Sequence, residues 1–197
     1  MLPYLDMVID AIHANVRNIP ATARGVMGYA TGEGVQWTPE DWDRFPYAGK
    51  IRLDQSSALS AFAEGNADGA DIESGAGTMG AFLTGAARRR AAGHDSTLYV
   101  SADSLPIVRG DVDSHGLTAS VMYAVANWSL TLDQAISLIG TNNIVLVQWA
   151  SPDSNPRTLV PGSTLTLAEA GCDLSVKSRG WFGSAYPAFG AYAEAST

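Results

Sequence analysis

Short, nearly continuous apolar runs recur along the chain, and segments carrying helix signals separate many of them. A run that is apolar at almost every position suits a strand buried on both faces, as in a parallel sheet covered by helices. The sequence predicts such strands at Tyr4–Val8, Gly25–Ala30, Lys50–Asp54, Gly69–Glu73, Thr97–Ser101, Val121–Ala126, Ile144–Trp149 and Asp173–Val176. Between them, Thr38-Pro39-Glu40-Asp41 reads as an N-cap, a proline at the first helical position and an acidic first turn. Thr131-Leu132-Asp133-Gln134 reads as a capping box leading into Ala135–Ile139, with Gly140 as the stop. The longest predicted helix is Thr78–Ala92, with Arg88–Arg90 near its negative end and Gly93 as its cap. This alternation argues an α/β fold. Eight strands suffice for a barrel, and 197 residues lies near the lower limit for one.

Composition supplies the core and narrows the partners. Apolar residues make up 46% and charged residues 16%, which excludes disorder over most of the chain. A single domain spanning 1–197 is expected, because no repeat or convincing linker divides it. Ser151–Gly162 reads as a loop, and residues 178–197 form a Gly/Ala/aromatic tail expected to pack across a core of about 3–177. The net charge of −8 repels nucleic-acid phosphates, and Arg88-Arg89-Arg90 is the one compact basic cluster, so nucleic acid is not expected as a partner. Cys172 is the single cysteine, and His13, His94 and His115 lack ligand spacing, so neither a disulfide nor a zinc site is expected. No apolar run reaches about 18 residues, and Met1–Val8 carries Asp6 without a basic region. Neither a membrane span nor a signal peptide is therefore expected.

The residues able to do chemistry gather at strand ends. Asp71 and Glu73, two apart on a predicted strand, should share one face with Cα atoms about 7 Å apart. Paired carboxylates repel, which favours a protonated acid beside an ionised partner, as glycoside hydrolysis requires. Equally, either one caps the following helix or pairs with an arginine. Asp6, Asp54 and Asp173 lie in or beside other predicted strands, and Tyr29, Tyr99, Trp128 and Trp149 occupy similar places. Aromatic planes suit the C–H faces of sugars, while Asp, Asn127 and Gln148 suit their hydroxyls; the alternative is that these aromatics are core. A competing pattern is Gly75-Ala76-Gly77-Thr78-Met79-Gly80, a literal G-x-G-x-x-G with Asp103 further on. Asp71 and Glu73 immediately before it would repel a pyrophosphate, and a turn leading into a helix capped near Thr78 is the simpler account. Cys172 is expected to be an inert buried thiol.

With these residues in view, the chain resembles the lysozyme-like muramidases of glycoside hydrolase family 25, and more closely their divergent relatives in actinobacteria and their phages. The resemblance spans roughly residues 3–177. It rests on Asp6 in Tyr4-Leu5-Asp6, on Asp71-Ile72-Glu73, on Tyr123-Ala124-Val125-Ala126-Asn127-Trp128, on Gln148-Trp149-Ala150-Ser151 and on Cys172-Asp173-Leu174. Asn127 departs from the sixth-strand wording of that family, and the first strand lacks its Gly-Ile-Asp-Val-Ser. The resemblance implies a compact, irregular TIM-like β/α barrel that cleaves the β-1,4 bond between muramic acid and glucosamine in peptidoglycan. Glu73 would be the general acid, Asp71 would tune it, and Asp6 and Asp173 would position water or substrate. Tyr29, Asp54, Tyr99, Asn127, Trp128, Gln148 and Trp149 would bind the glycan. No metal or organic cofactor is implied. The alternative is a non-catalytic glycan-binding or structural module of a phage tail, in contact with virion proteins. Lacking a signal peptide, either product would stay cytoplasmic until lysis or travel on the virion.

Overall fold

The computed structural model describes residues 6–19, 21, 23, 25–46, 48–73, 76–126, 131, 134, 144–149 and 164. Its strands are β1 (Asp6–Asp10), β2 (Gly25–Tyr29), β3 (Gly49–Asp54), β4 (Gly69–Asp71), β5 (Ser96–Ser101), β6 (Val121–Ala126) and β7 (Ile144–Trp149). Each pairs in parallel with the next. β7 returns to β1 in a register running from Asp6 opposite Val145 to Asp10 opposite Trp149, which closes the sheet. The architecture is α/β. One expectation changes: the first strand ends at Asp10 rather than Val8. Among the described residues, direct β7–β1 pairing closes a ring of seven strands. The strand expected at Asp173–Val176, the loop at Ser151–Gly162 and the tail at 178–197 lie outside the described residues.

Closure sorts the side chains by twos. Val8, Met27, Tyr29, Ile51, Leu53, Tyr99, Met122, Ala124, Ala126 and Val147, all from strands, form one buried cluster that fills the ring. Their neighbours face outward. Ile9 and Val26 pack with Trp37 and Phe45. Ala70, Leu98, Val100 and Val125 pack with helix residues such as Phe62, Phe82, Val108 and Val112. Phe62 and Phe82 stack at 5.4 Å between centroids and are fully buried, each contributing roughly 1.5–3 kcal/mol.

The helices follow their sequence signals. Thr38 and Asp41 form a capping box at α1 (Pro39–Asp43): Asp41 N donates to Thr38 Oγ1 at 3.3 Å, and Thr38 N to Asp41 Oδ2 at 2.8 Å. Helix α2 is a single turn, Ser60–Ala63. Thr78 caps α3 (Met79–Ala91) by accepting from Ala81 N at 3.2 Å, and Gly93 follows its end at φ +80°. Thr131 and Gln134 also bond reciprocally, although the helix expected at Ala135–Ile139 lies outside the described residues. Helix α4 (Leu105–Ser114) is not among the expectations above, yet Leu105, Val108 and Val112 mark its buried side at helical spacing. Pro106 and Gly110 dilute that signal.

The basic triplet is partly structural. Arg89 donates to Ala67 O at 2.9 Å and twice to Asp95 O, with its guanidinium over the Phe62 ring. Arg90 donates to Gly116 O.

Two glycines of opposite kind test this packing. A Cβ on Gly69 would lie 2.4 Å from the backbone oxygen of Thr97, which the sheet holds in place. Gly69→Ala is expected to cost about 1–3 kcal/mol and lower Tm by several degrees. Gly110, inside α4, has open space where an added methyl would sit, so Gly110→Ala is expected to add about 0.5–1 kcal/mol. Thermal unfolding of both variants checks the pair.

Candidate functional site

In a ring of parallel strands all C-terminal ends open on one mouth, so the residue that ends each strand decides what that mouth contains. Here Asp10 ends β1, Tyr29 ends β2, Asp54 ends β3 and Asp71 ends β4. Tyr99 on β5 is in register with Asp71, and Trp149 on β7 is in register with Asp10.

Asp10 lies deepest and is fully buried. Its Oδ2 accepts from the Tyr99 hydroxyl at 3.4 Å, and its Oδ1 has no hydrogen-bond partner among the described residues. Burial first, then the negative charge of Asp71 and that of Glu73, outweigh the Tyr99 and Ala11 hydrogen bonds and push its carboxyl up to about 8. At neutral pH Asp10 is therefore chiefly a neutral acid with a proton to donate.

Asp71, nearly buried, accepts from Glu73 N at Oδ1, 2.8 Å away. Burial raises its pKa against that bond. Glu73 has left the strand, so the expectation that Asp71 and Glu73 share one strand face is corrected. β4 stops at Asp71, and a turn carries Glu73 out to solvent. Backbone bonds hold that turn, from Gly77 N to Asp71 O at 3.1 Å and from Ala76 N to Glu73 O at 3.0 Å. Partial burial and then the charge of Asp71 raise the Glu73 pKa. Three carboxyl groups thus interact across one mouth while grading from enclosed to solvent-facing.

Tyr29 and Tyr99 are enclosed in the ring rather than set out as stacking planes for a sugar, which corrects that expectation. Burial and then the Asp10 charge raise both hydroxyls far above the ordinary range, so they remain protonated. Asp54 is also corrected as a glycan ligand. It is fully buried, and its Oδ1 accepts from Thr31 Oγ1 at 2.7 Å and Ser56 N at 2.8 Å, while Oδ2 accepts from Phe62 N at 2.9 Å. Burial raises its pKa, but these bonds outweigh it and leave the carboxyl low, which marks a staple for the β3–α2 loop. Asp6 begins β1, about 13 Å of extended chain from Asp10, so it belongs to the opposite end of the ring. The acid on the first strand that reaches the mouth is Asp10. Its signal is legible: it closes the run Met7-Val8-Ile9, where a parallel strand presents its functional end. Gln148 and Trp149 occupy strand positions opposite Ile9 and Asp10. Asn127, Trp128, Asp173 and Cys172 lie outside the described residues.

The glycine pattern has a structural use in the part that is described. Gly77 lets the chain press on Leu59, where a Cβ would lie 2.4 Å from that side chain, and Thr78 caps α3. The sequential ring has no reversal of strand order, the feature that opens a dinucleotide crevice in an open sheet. Among the described residues no three His, Cys, Asp or Glu side chains are placed to share a metal ion, and no helix is long and apolar enough to cross a membrane. Beside Glu73 opens a groove of about 570 Å³ that reaches Ser101, Ile107 and Asp111. Set against known proteins, the chain matches no family model and no curated protein.

The buried acid makes stability depend on pH. The folded chain holds the Asp10 proton up to about pH 8, whereas a carboxyl at the ordinary value of 3.8 releases it far earlier. Between those values the folded state binds more protons than the unfolded state. Stability attributable to Asp10 therefore falls as pH rises, by up to about 1.4 kcal/mol per pH unit. Asp10→Asn should remove that dependence, so its urea midpoint should gain on the wild type from pH 5 to pH 9. Parallel midpoints across that range would show that Asp10 is not held protonated.

Proposed function

We propose that the chain is a glycosidase of the muramidase type, built on a compact TIM-like β/α barrel and acting on the β-1,4 bond of peptidoglycan. The observation that carries this reading is Glu73, a solvent-facing carboxyl whose pKa is raised beside Asp71 and above the enclosed Asp10. A general acid must keep its proton near the working pH and still reach the leaving oxygen. Of the three acids, Glu73 is the solvent-exposed one, and burial with the charge of Asp71 shifts its pKa in the direction a general acid needs.

In this mechanism Glu73 protonates the glycosidic oxygen as the bond to the anomeric carbon breaks. Asp71 faces the positive charge that develops on the sugar ring, and its own position is fixed by the Glu73 N–H. Asp10, neutral at pH 7, adds no further repulsion and holds Tyr99 in place. No cofactor enters the scheme. The cell-wall glycan is the partner.

The complete enclosure of Asp10 favours a second reading, a non-catalytic glycan-binding or structural module such as a phage-tail component, in which the acids serve the fold. Release of reducing ends from purified actinobacterial cell walls separates the two. Glu73→Gln is expected to lower release by about 10²–10⁴-fold while leaving Tm within a degree. Wild-type activity should fall as pH rises through the raised Glu73 pKa, which deprotonates the acid. Wall binding by both proteins with release by neither would establish the second reading.

A further inference from the structure

Among the described residues Leu59 is the one non-glycine with a positive φ, at φ 49° and ψ 41°. That left-handed conformation favours glycine, and a leucine held in it is strained. Leu59 immediately precedes α2, with its N–H donating to Ser56 O at 3.0 Å and its carbonyl accepting from Ala63 N at 2.9 Å. Asp54 holds the surrounding loop by accepting from Ser56 N and Phe62 N. Strain so firmly maintained calls for a reason in the side chain, because glycine would satisfy the backbone without it.

The Leu59 side chain is fully buried and rests against Gly77. A Cβ on Gly77 would lie 2.4 Å from Leu59 Cδ2, 2.5 Å from Cγ and 2.8 Å from Cδ1. Gly77 is not one of the positive-φ glycines, so its backbone does not itself demand glycine. The usual preference is thus reversed across this contact: leucine occupies the left-handed position, and glycine the one where no side chain fits.

Gly77 in turn closes the turn that leaves β4. Its N–H donates to Asp71 O at 3.1 Å, Ala76 N donates to Glu73 O at 3.0 Å, and Glu73 N donates to Asp71 Oδ1 at 2.8 Å. A line of contacts therefore runs from the buried Asp54, through the strained Leu59, to the turn that carries Glu73 to the surface.

We propose that Leu59 is a positioning residue for Glu73: wedged against Gly77, its side chain fixes how far the turn from Asp71 to Gly77 stands off the core, and so where the Glu73 carboxyl sits. That Glu73 acts as the general acid rests on the reading above. That Leu59 positions it stands on the contact itself.

The test follows the Glu73 carboxyl directly, by NMR titration of side-chain carboxyl carbons in the whole chain. Its acidic neighbours are Asp71 and Asp10 at the mouth and Asp111 in the groove, and the same spectra follow them. Gly77→Ala adds a methyl that lifts the turn off Leu59, so the Glu73 pKa should fall toward its ordinary 4.5. Leu59→Ala removes the wedge and lets the turn settle, so the pKa should rise above that of the wild type. Gly77→Ala combined with Leu59→Ala puts the new methyl where the leucine branch was, and should return the titration to the wild-type position. Val121→Ala trims the same buried cluster at the start of β6, away from the mouth, and should leave the titration unmoved. An unmoved Glu73 titration in both single variants, shifts of the same sign, or an equal shift in Val121→Ala would overturn the proposal. Absence in the wild type of NOEs between the Leu59 methyls and the Gly77 Hα protons would do so even where a variant fails to fold. In the reducing-end assay each single variant should lose about ten-fold in kcat with KM nearly unchanged. A wild type that releases no reducing ends would overturn the glycosidase and leave the positioning of Glu73 by Leu59 standing.

Discussion

The pairing of β7 with β1 is the constraint on which the rest of the structure depends. Without it the sheet would have two edges and strand ends splayed along a line. With it the C-terminal ends of all seven strands face one mouth, and every second side chain is enclosed. Enclosure explains why Tyr29 and Tyr99 are core, although their sequence positions suit a binding surface. It also explains why Asp10 must find a neutral form. A carboxylate there would be stripped of water, and the Tyr99 and Ala11 hydrogen bonds do not offset that burial.

The mouth therefore holds three acids in three states of exposure, and depth rather than identity separates their roles. Asp10 and Asp71 are both aspartates that end strands, yet only Asp10 is wholly closed off. Asp54 shows that burial alone does not decide the outcome. It is as enclosed as Asp10, but three donors hold its charge and leave its carboxyl low. Donors turn a strand-end acid into a loop staple. Their scarcity turns one into a proton reservoir.

Much of the fold was legible because it rests on local patterns: continuous apolar runs for the strands, Thr38 and Thr78 as caps, Gly93 as a stop. What the pattern could not supply was phase. The first apolar run fixes that a strand exists but not which acid terminates it, and moving its end by two residues puts Asp10 at the mouth in place of Asp6. The same holds at Asp71-Ile72-Glu73. The spacing is compatible with a strand to its end, but the turn bonds of Gly77 and Ala76 stop the strand at Asp71 and send Glu73 outward. Ring closure on seven strands is a long-range property with no local signature. Helix α4 was missed for a different reason, since its buried spacing is regular but Pro106 and Gly110 argue locally against a helix.

That outward turn also separates the exposed acid from the buried ones. Had β4 continued through Glu73, alternation would have turned its carboxyl to the same face of the sheet as that of Asp71. By ending the strand one acid early, the chain keeps Asp71 in the low-dielectric interior, where its charge acts strongly, and lifts Glu73 to the surface within reach of that charge. The backbone N–H of Glu73 bonded to Asp71 Oδ1 couples the two positions through one turn. The carboxyl that would touch a substrate in the proposed mechanism is thereby exposed, and the two acids below it are buried.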